Sequence, residues 1–374
     1  MVPMKAVVRH IDLPEHRRTL VISDIHGNLP WLKGLLEKAA FTEDDILVLV
    51  GDLVEKGADS LSTLRYIMDL SKTHTVHALC GNCDNLAVDF VDGNGELGRD
   101  FFRFYLNVWR EKALILQMAR EAGVRVESPE DLPGLREVLR ERFAPELAFL
   151  RDLPTILTAP GFVFVHGGVP SYEHMEELDA WKCMKNDDFM SQGHAFPEYC
   201  VVGHWPVTLY RTDYPCCEPI VDRARKIISI DGGCVLKDDG QLNALVIPGP
   251  HSEDFSWFSF DDCPVRRALD PQAGSADPFT IRWTDHNVEV LQQGAEFSLC
   301  RHLSTGRELW VLTKYLATHN GQDWCQDSTD YRLDVRPGDL LSVVEETSRG
   351  ALCKKDGVTG WYGGRLEGAE DGKK

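Results

Sequence analysis

Five stretches of this chain end an apolar run with side chains that hold metal ions or move protons. Residues 19–23 (TLVIS) run into Asp24, Ile25, His26, Gly27 and Asn28, and residues 47–50 (LVLV) run into Gly51 and Asp52. Residues 76–79 lead to Cys80, Gly81, Asn82, Cys83 and Asp84; residues 162–165 (FVFV) meet His166, Gly167 and Gly168; Val201 and Val202 lead to Gly203 and His204. An apolar run bounded this way reads as a buried strand, and open α/β sheets place their chemistry beyond the C-terminal ends of strands. Glycines let the backbone turn sharply at such ends. A common rim would then collect Asp24, His26, Asp52, Asn82, His166 and His204. Oxygen and imidazole donors without thiolate form a hard to borderline set, suited to Mn, Fe or Zn. Six donors exceed the needs of one ion. They suit two ions sharing a carboxylate, with the central Asp52 as the bridge.

The motifs DIHGN, GDLVEKG, GNCD, VHGG and GHW, in that order, resemble those of the calcineurin-like metallophosphoesterase superfamily. Within it they look most like the phosphoprotein (serine/threonine) phosphatase branch and its bacterial relatives. The resemblance covers the first two thirds of the chain. It implies an α/β fold, a four-layer α/β/β/α sandwich. It also implies that Asp24 and His26 hold a first ion, that Asn82, His166 and His204 hold a second, and that Asp52 bridges them. Many other branches carry GHxH; here Pro206 takes the last place, which matches the phosphatase branch. Two divalent or trivalent ions would activate water for direct attack on phosphorus and neutralise the phosphoryl oxygens, without a covalent phosphoenzyme.

Several positions depart from that branch. Its leaving-group proton comes from a His after the Asn, held by the acid behind it; this chain has Cys83 followed by Asp84. A neutral thiol, with a pKa of about 8.5, donates less readily than an imidazolium. GNCD also resembles small bacterial phosphodiesterases, and a small residue filling a buried turn is the plain structural reading of Cys83. Lys56 stands where the branch has an Arg, so a phosphate would meet an ammonium without the bidentate fork. The branch's other phosphate-binding Arg is Cys80 here, and Arg211 is either its substitute or a surface cation. Asp231, in SIDGG, is expected to orient a ligand His, or else to begin the turn at Gly232 and Gly233.

The first functional reading is therefore a dinuclear-metal phosphomonoesterase resembling bacterial serine/threonine phosphatases, with Cys83, Asp84, Lys56 and Asp231 around the ions. A phosphodiesterase or symmetrical dinucleoside polyphosphate hydrolase is the alternative. An adaptor with a vestigial catalytic half is a third reading, from a different class.

These residues must be positioned by a chain of 374 residues, 43% hydrophobic, which is long enough for two domains with a substantial core. A formal charge of −19 argues against bulk nucleic-acid or anionic-lipid binding, and the resemblance implies phosphorylated proteins or small phosphoesters as substrates. Eleven cysteines, an odd number without framework spacing, and no charged-then-apolar leader point to a reducing, cytoplasmic compartment. No apolar run is long enough to span a membrane.

Residues 29–40 and 58–70 show helical spacing between the first strands, which predicts a parallel β-α-β-α-β arrangement. A helical insertion over 96–150 follows, either a cap beside the cleft or a cover for a sheet face. The metallophosphoesterase domain is expected over 1–265, a linker of Ala, Gly, Pro and Asp over 266–279, and an all-β domain over 280–374. Within the last, 309–367 resembles an SH3-like barrel, with Pro337-Gly338-Asp339 as its diverging turn and Gly357 in its distal hairpin. The positions of the SH3 Trp pair read Ala351-Leu352, which argues against PxxP binding. The partner of that module is open.

Overall fold

The computed structural model describes residues 4–93 and 105–368. The chain divides into two compact units, Met1–Pro206 with Pro219–Asp261, and Val207–Glu218 with Asp262–Lys374.

The first unit is built on two sheets. Strands β2 (Thr19–Ile22), β3 (Ile46–Val50) and β4 (Thr75–Leu79) are parallel neighbours. The antiparallel strands β10 (Leu242–Ile247) and β11 (Ser256–Phe260) extend that sheet to the order β11-β10-β2-β3-β4. A six-stranded sheet of order β1-β5-β6-β7-β9-β8 takes β1 (Val8–His10), β5 (Ile156–Ala159), β6 (Phe162–Val165), β7 (Tyr199–Val202), β8 (Ile220–Asp222) and β9 (Ile227–Ser229).

All five residues of β3 are buried, and their alternation explains why. Ile46, Val48 and Val50 pack with Phe162, Phe164, Val201 and Ile228 between the sheets, while Leu47 and Leu49 pack with the helices. A strand covered on both faces has to be apolar throughout.

The helices between the strands follow from local signals. In α1 (Leu29–Lys38) the Asn28 side chain accepts from Trp31 N at 3.3 Å, Pro30 sits in the first turn, and Leu32, Leu35 and Leu36 face the core. In α2 (Ser60–Leu70) Leu61, Leu64 and Ile67 do the same. Part of the expected insertion, 96–104, lies outside the described residues. Its helices Leu114–Ala122, Leu132–Arg142 and Ala144–Asp152 share the core of α1 and α2 through Met118, Leu139 and Leu147. They cover the sheet, as the plainer of the two expectations had it. Between β6 and β7 the only α-helix among the described residues is the short Ala180–Met184.

The second unit is rich in strands. A four-stranded sheet joins Val265–Arg267, Leu340–Thr347, Gly350–Lys355 and Val358–Tyr362, and a three-stranded meander joins Val288–Gln292, Phe297–His302 and Glu308–Leu312. The expected hairpin is present: Asp356 (φ 50°) and Gly357 (φ 72°) both have positive φ, as a two-residue type I′ turn requires. Before Leu340, Asp339 N donates to Arg336 O at 3.1 Å in the expected turn.

Two expectations fail here. The stretch 266–279 is not a free linker, because Arg266 and Arg267 pair with Leu341 and Leu340, Ala268 is fully buried, and Gln272 Nε2 donates to Trp361 O at 2.7 Å. The span 309–367 is not one barrel core either. Leu309 and Val311 belong to a cluster with Val288 and Phe297, whereas Leu341, Cys353 and Tyr362 belong to another with Ala268 and Val335.

Candidate metal centre

The donors sit where strands end. Asp24 and His26 follow β2, Asp52 follows β3, Asn82 follows β4, His166 follows β6 and His204 follows β7. Four of them hold positive φ without being glycine: Asp24 (54°), His26 (49°), Asp52 (51°) and His204 (67°). Each such residue costs on the order of 1–3 kcal/mol, and clusters of them mark sites where side chains are forced to converge. The convergence is tight enough to demand glycine nearby: a Cβ at Gly203 would lie 1.7 Å from Ser23 Oγ and 2.4 Å from Asp24 Oδ2.

Asp52 is the centre. His166 Nε2 lies 3.3 Å from Asp52 Oδ1, while His26 Nε2 lies 3.8 Å from Asp52 Oδ2 and 3.8 Å from Asp24 Oδ1. Asp24, Asp52 and His166 present donor atoms within 4.8 Å of one another, and so do His26, Asp52 and Cys83. His166 Nδ1 lies 2.8 Å from the Val50 carbonyl, so it donates there and leaves Nε2 as the nitrogen that faces Asp52. Buried atoms without hydrogen-bond partners collect here: His26 Nδ1, Asn82 Oδ1, His166 Nε2 and Asp231 Oδ2. Native proteins leave few buried polar atoms orphaned, and an ion is one standard explanation. The residues present therefore fit two bound cations.

Electrostatics agree. Burial would raise Asp52, yet His166, His26 and Lys56 hold its carboxyl well below the usual range. Burial and the carboxylates of Asp52 and Asp24 raise Asp24 and Asp231 respectively. Burial lowers the imidazole of His26 to about 3 and that of His204 to about 4, so both are neutral donors near pH 7. Burial also works against His166, but Asp52 and Asp24 outweigh it and lift that imidazole to about 10.

The other expected residues are placed as follows. Lys56 Nζ stands 3.4 Å from His26 Nε2 and 3.9 Å from Asp52 Oδ2, half-buried at the rim. Asp84 is engaged by backbone groups. Its oxygens accept from Leu53 N and Gly81 N, both at 2.8 Å, which staples the Asp52 loop to the Asn82 loop. Asp231 does not orient a histidine: Oδ1 accepts from Gly233 N at 2.8 Å and Oδ2 has no partner. His204 stands apart from the tight donor groups, its ring 5.1 Å from that of His166. Arg211 belongs to the other unit, over the ring of Tyr214.

Two features were not legible beforehand. Asp187 Oδ1 lies 2.7 Å from His204 Nε2, and Lys185 Nζ lies 3.2 Å from the same nitrogen. Both come from a loop with no apolar run before it. Glu55, buried with φ 73°, accepts from the Tyr105 hydroxyl and from Leu114 N at 3.0 Å, which ties the site loop to the helical insertion.

Glu55 yields a pH prediction. Burial lifts its carboxyl from the usual 4.5 to about 8. Above 4.5 the unfolded chain has released this proton while the folded chain keeps it, so stability falls as pH rises toward 8. Glu55→Gln, neutral throughout, is expected to flatten that decline, raising Tm at pH 8 relative to wild type in chelator-treated protein. Parallel Tm-versus-pH curves for the two proteins would remove Glu55 as the source.

Comparison with known proteins agrees with this geometry. The calcineurin-like phosphoesterase profile matches residues 17–212. A symmetrical bis(5'-nucleosyl)-tetraphosphatase of Salmonella typhimurium is 27% identical over 249 residues, covering 53% of this chain and 87% of that protein. A tetraphosphatase of the same description from Pectobacterium atrosepticum is 43% identical over 67 residues, covering 18% of this chain and 23% of its own. Among solved structures, a protein serine/threonine phosphatase from Saccharomyces cerevisiae aligns at TM-score 0.41 and 11% identity, covering 70% of this chain and 85% of its own. With strand-end donors converging on one carboxylate and the profile spanning all of the motifs that supply them, the chain belongs to the calcineurin-like phosphoesterase family and is a metal-dependent phosphoesterase.

Proposed function

We propose that this chain hydrolyses phosphoanhydrides, with symmetrical dinucleoside polyphosphates as its substrate class, at a centre held by Asp24, His26, Asp52, Asn82, His166 and His204. The observation that carries the reading is Cys83, a buried thiol whose sulfur lies within 4.8 Å of the donor atoms of His26 and Asp52. A serine alkoxide needs a proton to leave, and a thiol is a poor source of one. A nucleoside phosphate leaves as an anion that is stable near neutral pH, so it needs no such acid. The tetraphosphatases among the sequence relatives support the same substrate class.

Cations held by these residues supply Lewis acidity, which makes water nucleophilic at neutral pH and neutralises phosphoryl oxygens. Lys56 adds a positive charge at the rim beside His26 and Asp52. Asp187 holds His204 by Nε2, fixing the ring's orientation. Asp84 keeps two donor loops in register through backbone N–H groups.

A phosphomonoesterase like the bacterial serine/threonine phosphatases is the competing reading, and an adaptor with an inactive first unit is a weaker one. The orphaned donors support an ion-holding site over a vestigial one. We read the sheet that ends in Val358–Tyr362 as SH3-like, with a structural role or an unidentified partner. The eleven free cysteines support a reducing compartment, and no helix among the described residues is long and apolar enough to cross a membrane.

The test compares diadenosine tetraphosphate, a phosphoserine peptide, p-nitrophenyl phosphate and its bis-ester, each with added Mn. The dinucleotide is expected to give the highest kcat/KM and two ADP as products. A preference for the phosphopeptide would replace the proposal with the phosphatase reading. Cys83→His should raise kcat on the phosphopeptide relative to dinucleotide cleavage by about tenfold, toward the lower bound of general-acid catalysis. Equal effects on both substrates would show that position 83 does not face the leaving group.

A further inference from the structure

We propose that Cys83 is itself a donor to the metal centre, so that the ion on the His26 side is held by sulfur, nitrogen and oxygen together and a thiophilic ion such as Zn²⁺ is selected over Mn²⁺. The strand-end motifs alone pointed to an all-nitrogen and oxygen set. The fold changes that. Cys83 Sγ, a His26 ring nitrogen and an Asp52 oxygen all lie within 4.8 Å of one another, all three residues buried. Zn–S distances of about 2.3 Å and Zn–N distances of about 2.0–2.1 Å put donors on one tetrahedral ion about 3.5 Å apart, inside that bound.

Three independent features prepare the sulfur. The Cys83 backbone N–H donates to Asp52 Oδ1 at 2.8 Å, which fixes the residue against the shared carboxylate. The Asn82 amide Nδ2 donates to Sγ at 3.4 Å, so the sulfur already acts as an acceptor. On its far side Asn82 leaves Oδ1 buried without a partner, and His26 Nδ1 and His166 Nε2 are orphaned in the same place. Those unpartnered atoms distinguish Cys83 from a thiol that merely fills a turn.

On binding, the S–H bond breaks, the sulfur's electron pair goes to the ion, and the proton passes to solvent. A soft thiolate donor shifts preference toward Zn²⁺ and away from Mn²⁺. A coordinated thiolate has no proton to give a leaving group, which deepens the anhydride reading. The inference rests on the cluster's capacity to hold ions and not on which phosphate bond is cut.

The test titrates Co²⁺ into metal-stripped full-length protein and follows the near-ultraviolet absorption of sulfur-to-cobalt charge transfer, together with competition between Zn²⁺ and Mn²⁺. Wild type, Cys83→Ser and Cys83→Ala are compared, with circular-dichroism melting to confirm that each is folded. The remaining cysteines are common to all three proteins, so the difference spectrum isolates Cys83. The band is expected in wild type and absent from both variants. Zn²⁺ affinity should fall at least about tenfold in the variants, with Mn²⁺ affinity changed by less than about threefold. Identical cobalt spectra in wild type and Cys83→Ser would overturn the sulfur assignment and leave the metal centre intact. A wild type that takes up no cobalt would overturn both.

Discussion

Asp52→Asn is expected to lower kcat/KM on the order of 10³-fold and to reduce bound metal from two ions per chain to one or none. Residues outside a metal's immediate ligands already cost about 10–100-fold in affinity or activity when removed, and a carboxylate proposed to serve two ions should cost more. Asn keeps an oxygen for Cys83 N, now at 2.8 Å, but presents an amide N–H toward His26 or His166. The charge that balances His166 and Lys56 is gone.

Stability should move in the same direction. Because Asp52 is held well below its usual range in the fold, the stability it adds is present above its unfolded pKa and lost only as pH falls through the lower folded value. At pH 7 the variant therefore forfeits that contribution, on the order of 3 kcal/mol for breaking a buried charge pair. Elemental analysis of purified protein, steady-state kinetics and melting in chelator measure the three effects. A variant that retains two ions and activity within about tenfold would show that Asp52 is not shared between them.

The donors could be read in the sequence because each closes an apolar strand, and strand ends are where a parallel sheet concentrates its chemistry. That rule, together with the resemblance of the five motifs, is what nominated Asp24, Asp52, Asn82 and His166. Asp187, Lys185 and Glu55 were invisible because their importance comes from approach in space. The loop carrying Asp187 lies 17 residues before His204 and reaches it only through the fold, and Glu55 matters only because Tyr105 and Leu114 fold back onto it. Asp84 looked like a partner for Cys83 since the two are adjacent, yet its carboxylate is spent on backbone N–H groups of the neighbouring loop.

The second unit misled for another reason. Ala, Gly, Pro and Asp between residues 266 and 279 are loop-formers by composition, but composition does not report that Ala268 is buried or that Gln272 bonds across to Trp361. Nor does any local signal announce that 207–218 leaves the first unit for the second.

Asp231→Asn should have opposite effects with and without metal. In chelator the wild-type carboxylate is a liability. It is fully buried, Oδ2 has no partner, and burial together with the charge on Asp24 pushes its pKa well above the usual range. The folded chain thus holds this proton more tightly than the unfolded chain, so stability declines as pH rises past the unfolded value. Asn keeps an oxygen for Gly233 N and carries no charge, so the chelated variant is expected to be more stable at pH 7 by about 1–3 kcal/mol. Each kcal/mol corresponds to roughly 2–4 °C in a domain of this class. With Mn or Zn present the order should reverse. An ion that binds only the folded state raises Tm in proportion to its affinity, and the missing negative charge should weaken that affinity about 10–100-fold, with a loss of activity on the order of 10². Melting curves for both proteins in chelator and in saturating metal would therefore cross. A variant that is less stable under both conditions would make Asp231 a structural residue of its turn, and equal metal-induced gains would separate it from the centre altogether.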